Sequence, residues 1–573
     1  MANFGASLIE RSHTGSTRIT RGQPTPVLNH VHYSTSSSMG LCVSITSCRQ
    51  STTRGIDQGA ISGEAESQQQ RYASFSCYAS LPLSKHGPLP LDNSIRTTSI
   101  HILDDDSLLH VFHLYRPFLS GEDEDDNARL WGGWRDWARG RWWYKLAQVC
   151  RRWRNIIFRS AFYLELSLVC TYGTPVADML AHSPLFPLVI DYFEEGREVT
   201  TDDEEGAILA LKQRHRVRRV RFELPVTTQQ KFIAAMDEEY PILEYLVIGL
   251  PMRDLSTISV FSETLQAPHL RHLRLSGFTL PIGSRLFTSA VGLVTLSLVM
   301  VQPSTYFHPN FLLQWTSLMP QLETLTIYFN YSVSNHDLER QLADTPIVAP
   351  VTLPNLRYFV FHGVSAYLET LVHRVTMPRL EKLKIEFFNQ LMFFVPRLLQ
   401  LMNQAKNLRF HSAILDFLDD KVVAGVYPHG DNWEVEKYAF DIRVFCWDLN
   451  RQVSSMTQIF DSDSHNQMFS AVEHLTLDHE VHSQSSEEHN QVDRTEWRKL
   501  LRPFRNVKTL RIDDRLVKDI SRCLQSDDGE LPLELLPELQ ELTYSGGGDT
   551  GDGFTSFIDA RQNAGHPVAL VRV

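Results

Sequence analysis

Four histidines in one stretch, His474, His479, His482 and His489, carry a side chain much used to hold transition metals. A metal needs converging nitrogens, and the His479-Glu-Val-His482 spacing is not the His-Glu-x-x-His of zinc peptidases. These histidines are expected to face solvent, with no metal. A dense basic run, Lys212, Arg214, Arg216, Arg218, Arg219 and Arg221, offers the donors that phosphates or an acidic protein would take. Its flank, Asp202-Asp-Glu-Glu205, is acidic, so local pairing with that flank is expected and no nucleic acid. Cys150 supplies a nucleophilic sulfur, but it has no histidine partner in sequence and falls on an apolar helical stripe. That is the pattern of a buried structural thiol. The stretch Gly546 to Gly553 lacks the Lys-Ser/Thr that follows a phosphate loop, and no Walker A, GxGxxG or GxSxG motif occurs. No catalytic residue, cofactor or metal is expected, and the chain reads as a non-enzyme.

The elements that would position any such residue are more informative. At 573 residues the chain is too long for one core, so several domains or an elongated array are expected. Apolar residues make up 43%, charged residues 21%, and the net charge of −12 is mild for this length, giving no broad nucleic-acid-binding surface. Seven cysteines, at 42, 48, 77, 150, 170, 446 and 523, form no CxxC pair, which fits reduced thiols in the cytoplasm and/or nucleus. No apolar run approaches the ~18 residues of a membrane span. The longest mostly apolar stretch, Gly292 to Val301, reads as a buried strand, and no membrane partner is expected. Residues 1–95, rich in Ser, Thr, Gln, Gly and Arg, read as a disordered tail, with Leu81 to Asp92 as a linker. Arg11, Arg18 and Arg21 among Ser and Thr also suit a mitochondrial presequence.

One pattern recurs from residue 217 onward: apolar, two residues, apolar, one residue, apolar. It stands at Val217/Val220/Phe222, Leu243/Leu246/Ile248, Leu270/Leu273/Leu275, Leu293/Leu296/Leu298, Leu322/Leu325/Ile327, Leu356/Phe359/Phe361 and Leu380/Leu383/Ile385. It returns at Val472/Leu475/Leu477, Val507/Leu510/Ile512 and Leu539/Leu542/Tyr544. The first seven copies lie 23 to 34 residues apart. Polar residues between the apolar ones fit a strand with one buried face. Six copies have proline two positions earlier, Pro241, Pro268, Pro320, Pro354, Pro378 and Pro537, expected to end the preceding helix and leave an extended approach to the strand. Helical segments are expected at Phe311–Trp315, Tyr367–Val375 and Pro396–Met402. A helix-strand unit of this size cannot bury its face alone, so stacking into a solenoid is expected. The pattern resembles an irregular leucine-rich repeat, without the usual Asn or Cys after the strand. Residues 411–470 read as irregular, with one degenerate copy near Tyr438 to Trp447, and Tyr544 ends the last clear strand.

Before the repeats, Asp104, Asp105, Asp106 and Ser107 crowd a helix start, and Leu108, Val111, Phe112 and Tyr115 follow at helical spacing. Residues 116–140, with the run Glu122–Asp126 and Trp131, Trp134 and Trp137, read as an inserted loop. A second helix is expected over Trp142 to Phe158. Leu103-Asp-Asp-Asp-Ser-Leu-Leu-His-Val-Phe112 and Leu146-Ala-Gln-Val-Cys-Arg-Arg-Trp-Arg-Asn-Ile-Ile157 together resemble an F-box, with Val-Cys-Arg-x-Trp the more specific part. Asp104 stands where that family usually has proline. The chain from there on resembles fungal F-box proteins with leucine-rich-like repeats. The resemblance implies an α/β protein in three parts: the tail 1–95, an F-box-like helical module 96–162, and a leucine-rich repeat-like solenoid 163–573. It implies a substrate-recognition adaptor of a Skp–cullin–F-box ubiquitin ligase, docking on the Skp-family adaptor and presenting an unknown target protein. Residues implied to meet the adaptor are Leu103, Leu108, Leu109, Val111, Phe112, Leu146, Val149, Cys150 and Trp153, some of which can instead face the module's own core. The alternative is a repeat scaffold without a ligase role, the module serving only as its cap.

Overall fold

A computed structural model describes residues 103–116, 141–193, 197–250, 259–281, 283–301, 307–330, 349–405, 408, 410–427, 439–460, 469–480, 492–525, 534–544 and 553–572. The tail 1–95, residues 117–140 of the insertion, His482, His489 and Gly546–Gly548 lie outside the described residues. The chain is mixed α/β, with one large and mostly parallel sheet.

Among the described residues three helices come first: α1 (Asp105–Tyr115), α2 (Trp142–Val149) and α3 (Arg151–Arg159). The sheet follows, its strands taken here in chain order: β1 (Leu168–Cys170), β2 (Leu188–Tyr192), β3 (Val217–Glu223), β4 (Tyr245–Gly249), β5 (His272–Ser276), β6 (Thr295–Val301), β7 (Thr324–Phe329), β8 (Tyr358–Gly363) and β9 (Lys382–Phe387). Beyond them lie β10 (Ser412–Leu418), β11 (Lys421–Tyr427), β12 (Phe440–Phe445), β13 (His474–Glu480), β14 (Thr509–Ile512), β15 (Glu541–Tyr544) and β16 (Ala569–Arg572). Helices fall between strands: α4 (Val176–His182), α5 (Thr201–Leu211), α6 (Val226–Ala235), α7 (Arg285–Ser289), α8 (Pro309–Ser317), α9 (Ser365–Val372) and α10 (Pro396–Gln404). The remainder are α11 (Leu449–Phe460), α12 (Arg494–Leu501), α13 (Val517–Leu524) and α14 (Thr555–Asn563). Neighbouring helices pack on one another, α4 on α5, α5 on α6, α8 on α9, α9 on α10, α11 on α12 and α12 on α13. Among the described residues no helix is long and apolar enough to cross a membrane.

The recurring apolar pattern sets the register of the sheet. The middle apolar residue of each copy pairs with that of the next: Val220, Leu246, Leu273, Leu296, Leu325, Phe359 and Leu383 form one continuous rung. Phe222, Ile248, Leu275, Leu298, Ile327, Phe361 and Ile385 form a second, two residues on, on the same face. All are buried, as are the leading residues Val217, Leu243, Leu270, Leu293, Leu322, Leu356 and Leu380. Each such side chain contributes about 1.5–3 kcal/mol when fully buried, and the rungs join into one core. A slip of one residue would turn every rung outward, so the pattern fixes the pairing.

The prolines behave differently from expectation. Each sits second in a hydrogen-bonded turn: Leu243 N–H donates to Tyr240 O (3.3 Å), Leu270 to Ala267 (3.1 Å), Leu322 to Met319 (3.1 Å) and Leu539 to Leu536 (3.0 Å). The fixed φ of proline suits that turn position, so the chain turns sharply into each strand instead of approaching it extended. The residue before each proline is itself buried, an apolar position the repeat pattern had not included. One residue past the leading apolar position, charges pair across neighbouring units: Arg218 with Glu244 (2.8 Å), Arg357 with Glu381 (2.8 Å) and Lys508 with Glu473 (2.8 Å).

Residues 411–470 hold more order than expected. β10, β11 and β12 form an antiparallel trio, and the sheet runs β9-β12-β11-β10-β13, so among the described strands β11 alone runs against the rest. The expected degenerate copy near Tyr438–Trp447 coincides with β12, while β10 and β11 had no signal. β11 is buried along Val422–Tyr427, so it lacks the alternation of a half-buried strand. The array also continues past Tyr544, through α14 to β16. Buried amides from the helices meet carbonyls at strand ends: Gln229 Nε2 donates to Gly249 O (2.8 Å), and Gln452 Nε2 to Leu418 O (2.7 Å) and Cys446 O (2.9 Å).

Candidate docking face

Asp104 is the N-cap of α1, its carboxylate accepting from Ser107 N–H at 2.7 Å, which holds the group below the usual carboxylate range. This is the helix start expected from the acidic cluster. Leu108 and Phe112, one turn apart, are buried against the rest of the module. Phe112 meets Trp153 of α3 edge-on at 4.9 Å between ring centres. Arg152 ties α1 to α3, donating to Leu103 O (2.7 Å) and pairing with Asp105 (2.7 Å).

The single helix expected over Trp142–Phe158 is two helices. The backbone of Cys150 is extended, its sulfur accepts from Trp153 N–H at 3.5 Å as the N-cap of α3, and Arg154 Nε donates back to Ala147 O (2.9 Å). Cys150 is half-buried at this break, not a thiol sunk in an apolar stripe. Thiol capping leaves no periodicity for sequence reading to find.

The nine residues singled out divide by environment. Leu108 and Phe112 are core; Leu109, Leu146, Cys150 and Trp153 are half-buried; Leu103, Val111 and Val149 are exposed, Val149 by 58%. Sequence reading missed several companions of the exposed group. Leu114 and Tyr115 share the outer side of α1 with Val111, at i, i+3 and i+4. After α3, Phe162 is 98% exposed, and Tyr163 lies 5.2 Å from His113 of α1, ring centre to ring centre. The module is also fastened to the first strands: Trp143 Nε1 donates to Ser167 O (3.3 Å), Arg141 to Val169 O (3.3 Å), and Trp143 packs edge-on against Phe158 and Phe186.

Further exposed apolar side chains follow β9 and β12. Leu391, Met392 and Phe394 precede α10, and Trp447 follows β12; Trp447 is 75% exposed. Beside Trp447, Cys446 N–H donates to Asp420 O (2.9 Å), which brings the Asp419–Asp420 turn alongside. On the sheet face away from the helices, Arg443 pairs with Asp441 (2.7 Å) and Glu386 (3.4 Å), and Lys384 with Glu386 (3.2 Å). His362 is buried between Tyr328, Phe388 and Phe445, and burial pushes its pKa down to about 4.

The basic run finds other acids than its flank. Arg214 pairs with Glu238 and Arg218 with Glu244, while Asp203 caps α5 through Thr200 and Glu204 pairs with Lys231 (2.5 Å). Arg216 donates to the carbonyls of Phe186 (3.1 Å) and Pro184 (3.1 Å). His474 and His479 lie on β13 at positions of opposite parity, so they point to opposite faces, and His479 is buried instead of solvent-facing. No family model matches the chain, and no curated protein matches it.

Proposed function

We propose that this chain is a non-catalytic adaptor in which an F-box-like helical module, 96–162, docks on a Skp-family adaptor of a cullin–RING ubiquitin ligase. A leucine-rich repeat-like solenoid, 163–573, presents a target protein. The observation that carries the reading is the helical module itself. Its helices are knitted by Phe112, Trp153 and Arg152, yet Val111, Leu114, Tyr115, Val149 and Phe162 are left in water. Exposed apolar side chains on a small helical unit are costly unless a partner covers them, as a helix face fills a groove. The helix break at Cys150, within Val-Cys-Arg-x-Trp, lends further support. The target would meet the sheet face and the Leu391/Met392/Phe394/Trp447 rim, and the adaptor's work is positioning, raising the target's effective concentration near charged ubiquitin.

Purified full-length chain mixed with a Skp-family adaptor is expected to co-elute with it. Val111→Asp with Leu114→Asp, both on the exposed side of α1, should abolish co-elution and leave circular dichroism unchanged. Failure of the parent chain to bind the adaptor overturns the reading. A second reading, a repeat scaffold whose module is only an end cap, draws on the Trp143–Ser167 and Arg141–Val169 contacts. It is the reading left standing if adaptor binding is absent.

A further inference from the structure

Among the described residues, His411, Glu473 and His474 form the one group of three whose ligand atoms, one from each residue, all lie within 4.8 Å of one another. His411 immediately precedes β10, Glu473 immediately precedes β13, and His474 begins β13; the two strands are parallel neighbours. Their main chains are held in place, since the N–H groups of Glu473 and His474 both donate to His411 O, at 2.9 and 3.3 Å. The two imidazoles cross at 66° with centres 5.0 Å apart, so they are not stacked face to face. Thr509 Oγ1 lies 2.5 Å from His474 Nδ1, a contact that orients the ring. Lys508 Nζ donates to Glu473 Oε2 at 2.8 Å, which fixes the carboxylate. All three side chains are half-buried.

We propose that His411, Glu473 and His474 bind one divalent cation of the zinc type through two imidazole nitrogens and one carboxylate oxygen, water taking the fourth position. Two nitrogens and one oxygen suit a tetrahedral, borderline-soft ion. Calcium and magnesium, which take oxygen ligands in larger number, do not fit this set. The site lies where the reversed trio of strands meets the resumed array, so the cation fastens β10 to β13 at their starts. An ion that binds only the folded chain stabilises it by mass action.

The test is calorimetric titration of the full chain, stripped with EDTA, with zinc chloride. The chain holds 23 histidines, so total uptake decides nothing and the difference between variants decides. Expected is a saturable site whose affinity falls more than about tenfold in His411→Ala and in His474→Ala. Thr509→Val, which loses only the orienting contact, should weaken it about tenfold. His110→Ala, an exposed histidine of α1, should leave it unchanged. Zinc should raise the melting temperature of the parent and of His110→Ala but not of the two ligand variants. Melts in EDTA check that every variant folds, and His411→Gln and His474→Gln replace any alanine variant that melts early. Absence of saturable zinc binding, or equal affinity in the parent and both ligand variants, overturns the site.

Discussion

Asp416 shows how a side chain can be placed against its own preference. It lies on the outer side of β10, opposite Asp478 of β13, and burial together with Asp478 and Glu480 pushes its pKa up to about 6. The folded chain therefore holds this proton more tightly than the unfolded chain, whose carboxyl titrates near 3.8. The stabilisation from the proton is complete below about pH 4 and is lost as pH rises toward and through 6. Asp416→Asn should therefore raise the melting temperature at pH 7, with the gain shrinking toward pH 4. Equal melting temperatures at pH 7 would count against the account. His362 runs the other way: its lowered pKa stabilises above about 6.5, and that contribution is lost as pH falls through 4. At this scale the sequence told little. Asp104 was legible because a carboxylate before a helix has one usual job. Cys150 was not, since a sulfur cap and a packed thiol are the same letter in the same run. His411 carries no signal in the sequence because its partners lie more than sixty positions on.

At the scale of elements, ten strands were legible because each carries the same buried spacing. β1 is only three residues long, β2 is buried throughout, and β16 is exposed throughout, so none shows an alternation to read. The prolines mark these places in the sequence but not their geometry, because proline is equally at home in an extended segment and at the second position of a turn. Pro378→Ala should cost about 0.4–1 kcal/mol, through the greater freedom of the unfolded chain, and lower the melting temperature slightly. Arg561 of α14 is a stronger case. Buried completely, it donates to the carbonyls of Leu536 (3.2 Å), Pro537 (2.9 Å) and Leu539 (3.0 Å), serving the turn that leads to β15. Arg561→Met keeps the bulk and takes the donor from the Pro537 and Leu539 oxygens, while Leu536 O keeps the Leu539 N–H, at a cost on the order of 3 kcal/mol. Faster native-state hydrogen exchange in β15 and β16, with β3–β9 unaffected, is the expected readout.

Over the whole molecule, an α/β array of helix-strand units was legible, and its internal detour was not. Periodicity reports that neighbours in sequence are neighbours in space, and it falls silent where they are not. From β3 to β9 each strand pairs with the one that follows it in the chain. After β9 that rule lapses: Leu383 pairs with Phe440, across the whole of α10, β10 and β11. A chain emerging from the ribosome could add β3 to β9 one at a time, each finding its seat ready. β9 then has to wait, its outer edge open, until two later strands have emerged and the third turns back to fill the place beside it. The longer loop to be closed makes this the slow step. Arrest of synthesis between β11 and β12 should leave an intermediate with a bare, sticky strand edge at β9, the point in its making where this protein most needs a chaperone.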